Sequence, residues 1–241
     1  MRAVPVAQGA AVSVAVLGPG SAGSAVYGEA GFETASIVKV DILAALLLRA
    51  QDAGRRPTAW ERTYATAMIE DSDNDSASAL WRAIGGAEGL DAANARFGLT
   101  DTTGGDGALW GLTRTTAADQ LTLLRQVFGQ DSELSAASRR YLQGLMEHIA
   151  EGQDWGVSAA ADDSAWALKN GWLPRGTTGL WVVNSIGRVT AGGEDYLLAV
   201  LSNGNATKER GVALVEAAAR AAVSVLAGEA AAPSATASPA G

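Results

Sequence analysis

The 241-residue sequence predicts an α+β fold in which an antiparallel five-stranded sheet, flanked by helices, carries an inserted all-helical lobe. Three observations predict it. Apolar residues alternate with a period of two near both ends of the chain, and the long middle stretch switches to helical periodicity. The last two strand-like segments meet at a glycine pair that suits a tight turn, so consecutive strands run antiparallel. A chain that leaves a sheet, builds a helical lobe and returns also makes a cleft between the two, where ligands are usually held.

Taken in order, residues 11–17 and 24–28 read as two short strands joined by GPGSAG. That hexamer fits G-x-G-x-x-G, but a dinucleotide site needs a helix opening at the third glycine. Gly23 leads instead into SAVYGEAGF, strand-like and then loop, so the hexamer is a hairpin turn. From Ser36 to about Ile149 the pattern is helical. Thr58 and Glu61 form a capping box for AWERTYATAMIE. Asp75 is expected to cap SASALWRAI, which Gly85 and Gly86 stop, and GLDAANARFG runs to Gly98. After the glycine-rich TDTTGGDGALWG, Thr116 caps AADQLTLLRQVFG and Ser135 opens AASRRYLQGLMEHI. Three strands follow, SAWALKNGW, GLWVVNSIGRV and DYLLAVLSNG, the last two meeting around Gly192 and Gly193. An amphipathic helix covers roughly 208–226. The expected organisation is one domain of two lobes. Residues 1–35 and 150–228 build the sheet lobe, 36–149 the helical lobe, and 229–241 form a low-complexity, disordered tail.

Composition removes whole classes of chemistry. A formal charge of −8 argues against nucleic acid, whose phosphates demand a basic footprint. The chain has no cysteine, so disulfides, thiol catalysis and cysteine-bound metals are excluded. Its single histidine, His148, cannot build a multi-histidine zinc centre. No G-x-S-x-G is present, and His148 reads as a helix C-terminal residue favoured by the dipole. No metal and no cofactor are expected. No stretch reaches the ~18 uninterrupted apolar residues of a membrane span. AAVSVAVLG, behind Arg2, could pass for a signal-peptide core, but its alternation makes it a strand.

Lysine usage points to a site. Of eighteen basic residues only three are lysines, Lys39, Lys169 and Lys208. Arginine cannot lose its proton in a protein, whereas a desolvated lysine can. Lys39 lies in FETASIVKVDILAALLLRA, a segment with almost no polar face, three residues after Ser36 and so on the same side of a helix start. Burial there lowers the pKa of the amine and makes it a base for the serine hydroxyl, a poor nucleophile alone. The backbone N–H of Ser36, in a first helical turn, faces developing negative charge. Ser72, Asp73 and Asn74 fall at a break between helices in EDSDNDS, and Lys169, Asn170 and Gly171 on the first strand after the helical lobe. The bland alternatives are a capping serine with a snorkelling lysine, an Asx-rich turn, and an edge-strand lysine.

S-x-x-K, S-D-N and K-N-G in this order resemble the penicillin-recognising serine hydrolases: class A β-lactamases, penicillin-binding proteins and D-Ala-D-Ala carboxypeptidases, whose third motif is K-T-G. The resemblance covers roughly residues 11–226 and implies a β-lactamase/transpeptidase-like fold. It implies that Ser36 is acylated with Lys39 as proton acceptor and that Ser72 relays a proton to the leaving nitrogen. Asn74 would bond the substrate's amide, Asp73 hold its loop, and Lys169 attract the substrate carboxylate. Asn170 would reshape carboxylate recognition and Gly171 allow close ligand approach, and the N–H of Trp172 would complete an oxyanion hole with that of Ser36, its side chain adding bulk beside that hole or a stacking wall. The substrate is a β-lactam or a peptidoglycan-like peptide, and the chain is expected to work as a monomer outside the cytoplasmic membrane. Two departures stand out. FGLTDTTGGDGALWGLTRTT lacks the glutamate that activates deacylating water in class A enzymes; its only acids, Asp101 and Asp106, read as turn residues. Asparagine replaces threonine at position 170. The first departure favours slow deacylation. It keeps two alternatives open, a carboxypeptidase or penicillin-binding-protein-like enzyme, and a module that captures β-lactam or cell-wall peptide without turnover. Arg175 and Arg188 could bind a carboxylate but read as surface arginines.

Overall fold

The computed structural model describes residues 4–21, 23–162 and 165–231. Strands β1 (Ala11–Leu17) and β2 (Ser24–Tyr27) form the expected hairpin, closed by Gly18 donating to the Gly23 carbonyl at 2.8 Å. A two-residue strand β3 (Phe32–Glu33) and a 3-10 turn (Ala35–Ile37) then lead into α1 (Val38–Asp52). Next come α2 (Ala59–Glu70), α3 (Asn74–Ile84), α4 (Gly86–Phe97), β4 (Arg114–Thr115), α5 (Ala117–Phe128) and α6 (Ala136–Met146). Beyond a 3-10 turn at Gly156–Ala160 lie β5 (Trp166–Pro174), β6 (Trp181–Ala191), β7 (Glu194–Asn205) and α7 (Lys208–Ala231). The sheet is antiparallel in the order β2-β1-β7-β6-β5, so β5 is an edge strand. Gly192 and Gly193, at φ 61° and 78°, supply the left-handed pair that a two-residue hairpin between β6 and β7 requires.

Alternation along the strands divides the interior in two. Ala15, Ala167, Ile186, Leu197, Ala199 and Leu201 face the helical lobe. Their neighbours Val14, Leu168, Val183, Leu198 and Val200 face α7, which covers them with Leu214, Val215, Ala218, Ala219, Ala222 and Val223. By length and composition α7 could cross a membrane, and it is the one described helix that passes that test. Here one stripe of it is core. Helix α1 is apolar all round because it is buried all round, with α2, α3, α4 and α6 packed on it.

Several elements differ from expectation. The helix around Ser36 opens with a 3-10 turn, and β3 pairs with β4 across the helical lobe through Phe32–Thr115 and Glu33–Arg114. Asp73, not Asp75, caps α3, its carboxylate accepting from Ser76 N at 2.6 Å. Helix α7 continues to Ala231, into the expected tail; residues 232–241 and Arg2 lie outside the described residues. The capping box of α2 is as read, the Glu61 carboxylate accepting from Thr58 N at 2.6 Å and Thr58 Oγ1 from Glu61 N at 3.1 Å. Thr116 and Ser135 cap α5 and α6.

Candidate active site

The segment before α1 is fixed from three sides. Thr34 N donates to the Thr113 carbonyl at 2.8 Å. Asn184 on β6, fully buried, donates to the carbonyls of Glu33 and Thr34 at 2.8 and 3.0 Å and accepts from Ser202 N at 3.0 Å. Strand β5 then presses Gly171 against the turn. A Cβ there would lie 2.7 Å from Ser36 N and 2.8 Å from both Ile37 N and Thr34 O, so no side chain fits. The turn carries strain: Ala35, directly before Ser36, has φ 48°. The one other described non-glycine residue with positive φ is Ser72, at 57°. Such conformations cost about 1–3 kcal/mol each and persist where the surroundings over-determine them.

Lys39, in the first turn of α1, has no exposed surface. Its Nζ lies 3.0 Å from Ser36 Oγ, 2.7 Å from the Ser72 carbonyl, 3.0 Å from Ser72 Oγ and 2.9 Å from Asn74 Oδ1. Two of these four oxygens, the carbonyl and the amide oxygen, can only accept. A neutral amine has two N–H groups for them and a lone pair left for a hydroxyl, of Ser36 or Ser72. Burial lowers the lysine from 10.5 to about 8, with the Asp73 charge pulling the other way. The arrangement can therefore take a proton from either serine at mildly alkaline pH. Over the amine lies Trp110, its ring centroid 5.0 Å from Nζ and its Nε1 donating to Ser78 Oγ at 3.1 Å.

Lys169 is buried on β5, and its amine donates to the neighbouring Asn170 carbonyl at 3.2 Å. Burial and, less strongly, the Lys39 charge together lower it to about 7, which places the two amines in one electrostatic unit. In the free protein it is thus a partial cation near neutrality. The expected places of the Asn170 side chain at the carboxylate and of the Trp172 side chain beside the oxyanion hole need correcting. Strand alternation sends both to the α7 face, opposite Lys169 and Gly171. The Asn170 amide donates to the Gln153 and Trp155 carbonyls at 2.7 and 2.9 Å, which ties down the chain before the 3-10 turn. Trp172 meets Trp155 edge-on at 5.8 Å, with Lys208 Nζ stacked 4.0 Å from its ring.

The remaining candidates are spoken for. Arg175 and Arg114 share Glu33 at 3.4 and 3.8 Å, and Arg188 pairs with Glu147 at 3.0 Å. His148 bonds the Gly144 carbonyl at the end of α6. Among the described residues no acid hydrogen-bonds Lys39. Asp119 holds the backbone N–H of Asp101 at 2.8 Å and Thr102 Oγ1 at 2.7 Å, and Asp91 holds Gly104 N at 2.7 Å. Sequence reasoning missed Asn184, whose signal was one amide in an apolar strand, and Trp110, a large aromatic in a glycine-rich loop. It also missed Asp41, two residues after Lys39 and wholly buried. Burial pushes that carboxyl up to about 7; the Asn94 amide opposes the rise, and Asp91 and Asp119 add to it. Among the described residues neither Asp41 oxygen meets a hydrogen-bond partner, and the Asn94 amide is likewise unpaired.

This fold is shared with solved structures. PBP-A is 22% identical over 94% of each chain with a TM-score of 0.80. A PBP-A mutant described as an acyl-enzyme complex with penicillin-G is 23% identical over 92% of each chain, TM-score 0.78. A class A beta-lactamase from Bacteroides cellulosilyticus is 18% identical over 90% of this chain and 92% of that one, TM-score 0.77. The protein thus has a class A β-lactamase-like fold. A family model described as "Beta-lactamase enzyme family" matches residues 54–226, more than half of the chain, and the chain belongs to that family. The matched span contains Ser72, Asn74 and Lys169 and begins after Ser36 and Lys39. No curated protein matches the sequence.

Proposed function

We propose that the protein is a serine hydrolase of the class A β-lactamase type that forms an acyl-enzyme on Ser36. The observation that carries this is the contact of 3.0 Å between Ser36 Oγ and a fully buried lysine amine of lowered pKa. Ser36 Oγ bonds to the carbonyl carbon as its proton passes to Lys39 Nζ. The carbon–nitrogen bond then breaks, and the leaving nitrogen takes a proton from Ser72 Oγ, which Lys39 resupplies. Negative charge on the carbonyl oxygen is held by the backbone N–H groups of Ser36 and Trp172, such donors being worth ~3 kcal/mol each. Lys169 answers the substrate carboxylate, and the Asn74 amide nitrogen remains free for the substrate's own amide. Substrates are β-lactams or peptidoglycan-like amides and esters, met outside the cytoplasmic membrane.

That no acid among the described residues hydrogen-bonds Lys39 supports slow release of the acyl group, since a positioned base contributes ~10²–10⁴-fold. On this second reading the protein behaves as a carboxypeptidase or penicillin-binding protein, or captures its ligand. One experiment separates them: a chromogenic cephalosporin follows turnover while a fluorescent penicillin follows covalent label. Rapid colour with transient label is β-lactamase behaviour; stable label with little colour is the second reading. Equal results for wild type and Ser36→Ala would sink both.

A further inference from the structure

We propose that Trp110 is a cover over Lys39 that makes the Ser36 ester long-lived, an inference that rests on Ser36 being the acylated residue. The indole, half-buried, sits 5.0 Å from Nζ and hangs from Ser78 Oγ, which itself donates to the Asn74 carbonyl at 2.9 Å. The cover is therefore suspended from the same helix that presents Asn74 to the amine. Hydrolysis of the ester needs a water oxygen to bond the acyl carbon as the carbon–Oγ bond breaks. One water proton must leave to a base, and one proton must arrive at Oγ. Lys39 is the base within reach of Oγ. An apolar ring over it gives an attacking water no hydrogen-bond partner. That opposes the second half-reaction, which needs a positioned water, and spares the first, which uses the serine's own proton.

The indole has room to move. Trp110 also lines a cavity of about 330 Å³ with Ser78, Trp81, Arg82, Gly107 and Ala108. The loop beneath is fixed, because Trp81 Nε1 donates to the Gly107 carbonyl at 2.8 Å and Thr103 N to the Arg114 carbonyl at 2.9 Å. Cover and scaffold are thus separable: the side chain can leave Lys39 without the loop unfolding, and cutting its anchor alone should loosen it.

The test follows the full-length protein labelled with a fluorescent penicillin and freed of excess reagent. Intact-mass spectrometry reads the decay of the acyl-enzyme, and stopped-flow fluorescence reads its formation. Trp110→Ala should shorten the ester's lifetime about tenfold or more while changing the formation rate much less. Ser78→Ala, which keeps the ring and removes its anchor, should shorten it by an intermediate factor; it also keeps the test alive if Trp110→Ala folds poorly. Unchanged lifetimes in both variants, or formation and decay altered in equal proportion, would overturn the cover and leave the Ser36 ester standing. A wild type that takes no more label than Ser36→Ala would overturn both.

Discussion

An ammonium with no exposed surface must find its solvation in the protein, and Lys39 finds four oxygens, two of them hydroxyls that can donate in return once the amine is neutral. Arginine would fill the same space but could not give up its proton. Lys39→Arg should therefore cost ~10²–10⁴-fold in the rate of Ser36 labelling with little loss of fold, measured with the fluorescent penicillin and circular dichroism. The two amines also set opposite demands on pH. Lys39 must be neutral, so acylation rises through about 8, whereas Lys169 must be charged to hold a carboxylate, so binding falls as pH passes about 7. Because the two interact, the limbs belong to the pair. A penicillin should show a narrow bell in kcat/KM, and a neutral ester without a carboxylate should show the rising limb alone. A falling limb that persists with the neutral ester would contradict the assignment to Lys169.

At the scale of elements, the site is a strained turn clamped between a helix cap and a strand edge. Gly171 is the clamp, and Gly171→Ala puts a methyl 2.7 Å from Ser36 N, which overpacking at ~1–3 kcal/mol must relieve by moving the turn. Labelling should fall by about tenfold or more while the thermal midpoint drops by a few degrees. Asp73 caps α3 and its charge raises Lys39, so Asp73→Ala should cost ~1 kcal/mol of stability and shift the rising limb to lower pH. Much of this was legible. Ser36, Lys39, Ser72, Asn74 and Lys169 could be picked from residue type and order, and the structure gathers the first four within hydrogen-bond reach. Asp75 looked like the cap because the hydrophobic period begins after it. The cap is decided by where the chain leaves the positive-φ Ser72, which periodicity does not encode. Asn170 teaches the reverse: a strand's period of two already placed it opposite Lys169, and the motif's familiar spacing obscured that.

The whole molecule places one sheet between two cores, and the residues proposed as catalytic sit where the helical side of that sandwich meets the edge strand β5. The expected sheet and helical lobe emerged from periodicity because each face is buried against a different partner. The β3–β4 ladder did not, since two-residue strands leave no period to read. Depth has a cost elsewhere. Asp41 is raised to about 7 in the fold against an ordinary value of 3.8, so the folded protein binds the extra proton between those limits and stability falls as pH rises across them. Asp41→Asn should be nearly neutral near pH 4, gain on wild type up to about pH 7 and hold a constant advantage beyond, as urea midpoints at several pH values would show. A gap that does not change with pH would mean that Asp41 keeps its charge. The same burial is what arms Lys39, and its titration is the most direct test: NMR of ¹³C-labelled lysine in the unliganded protein, with the signal assigned by Lys39→Arg. A midpoint near 8 is expected; a midpoint at the ordinary lysine value of about 10.4 would leave Ser36 without a base and contradict the mechanism.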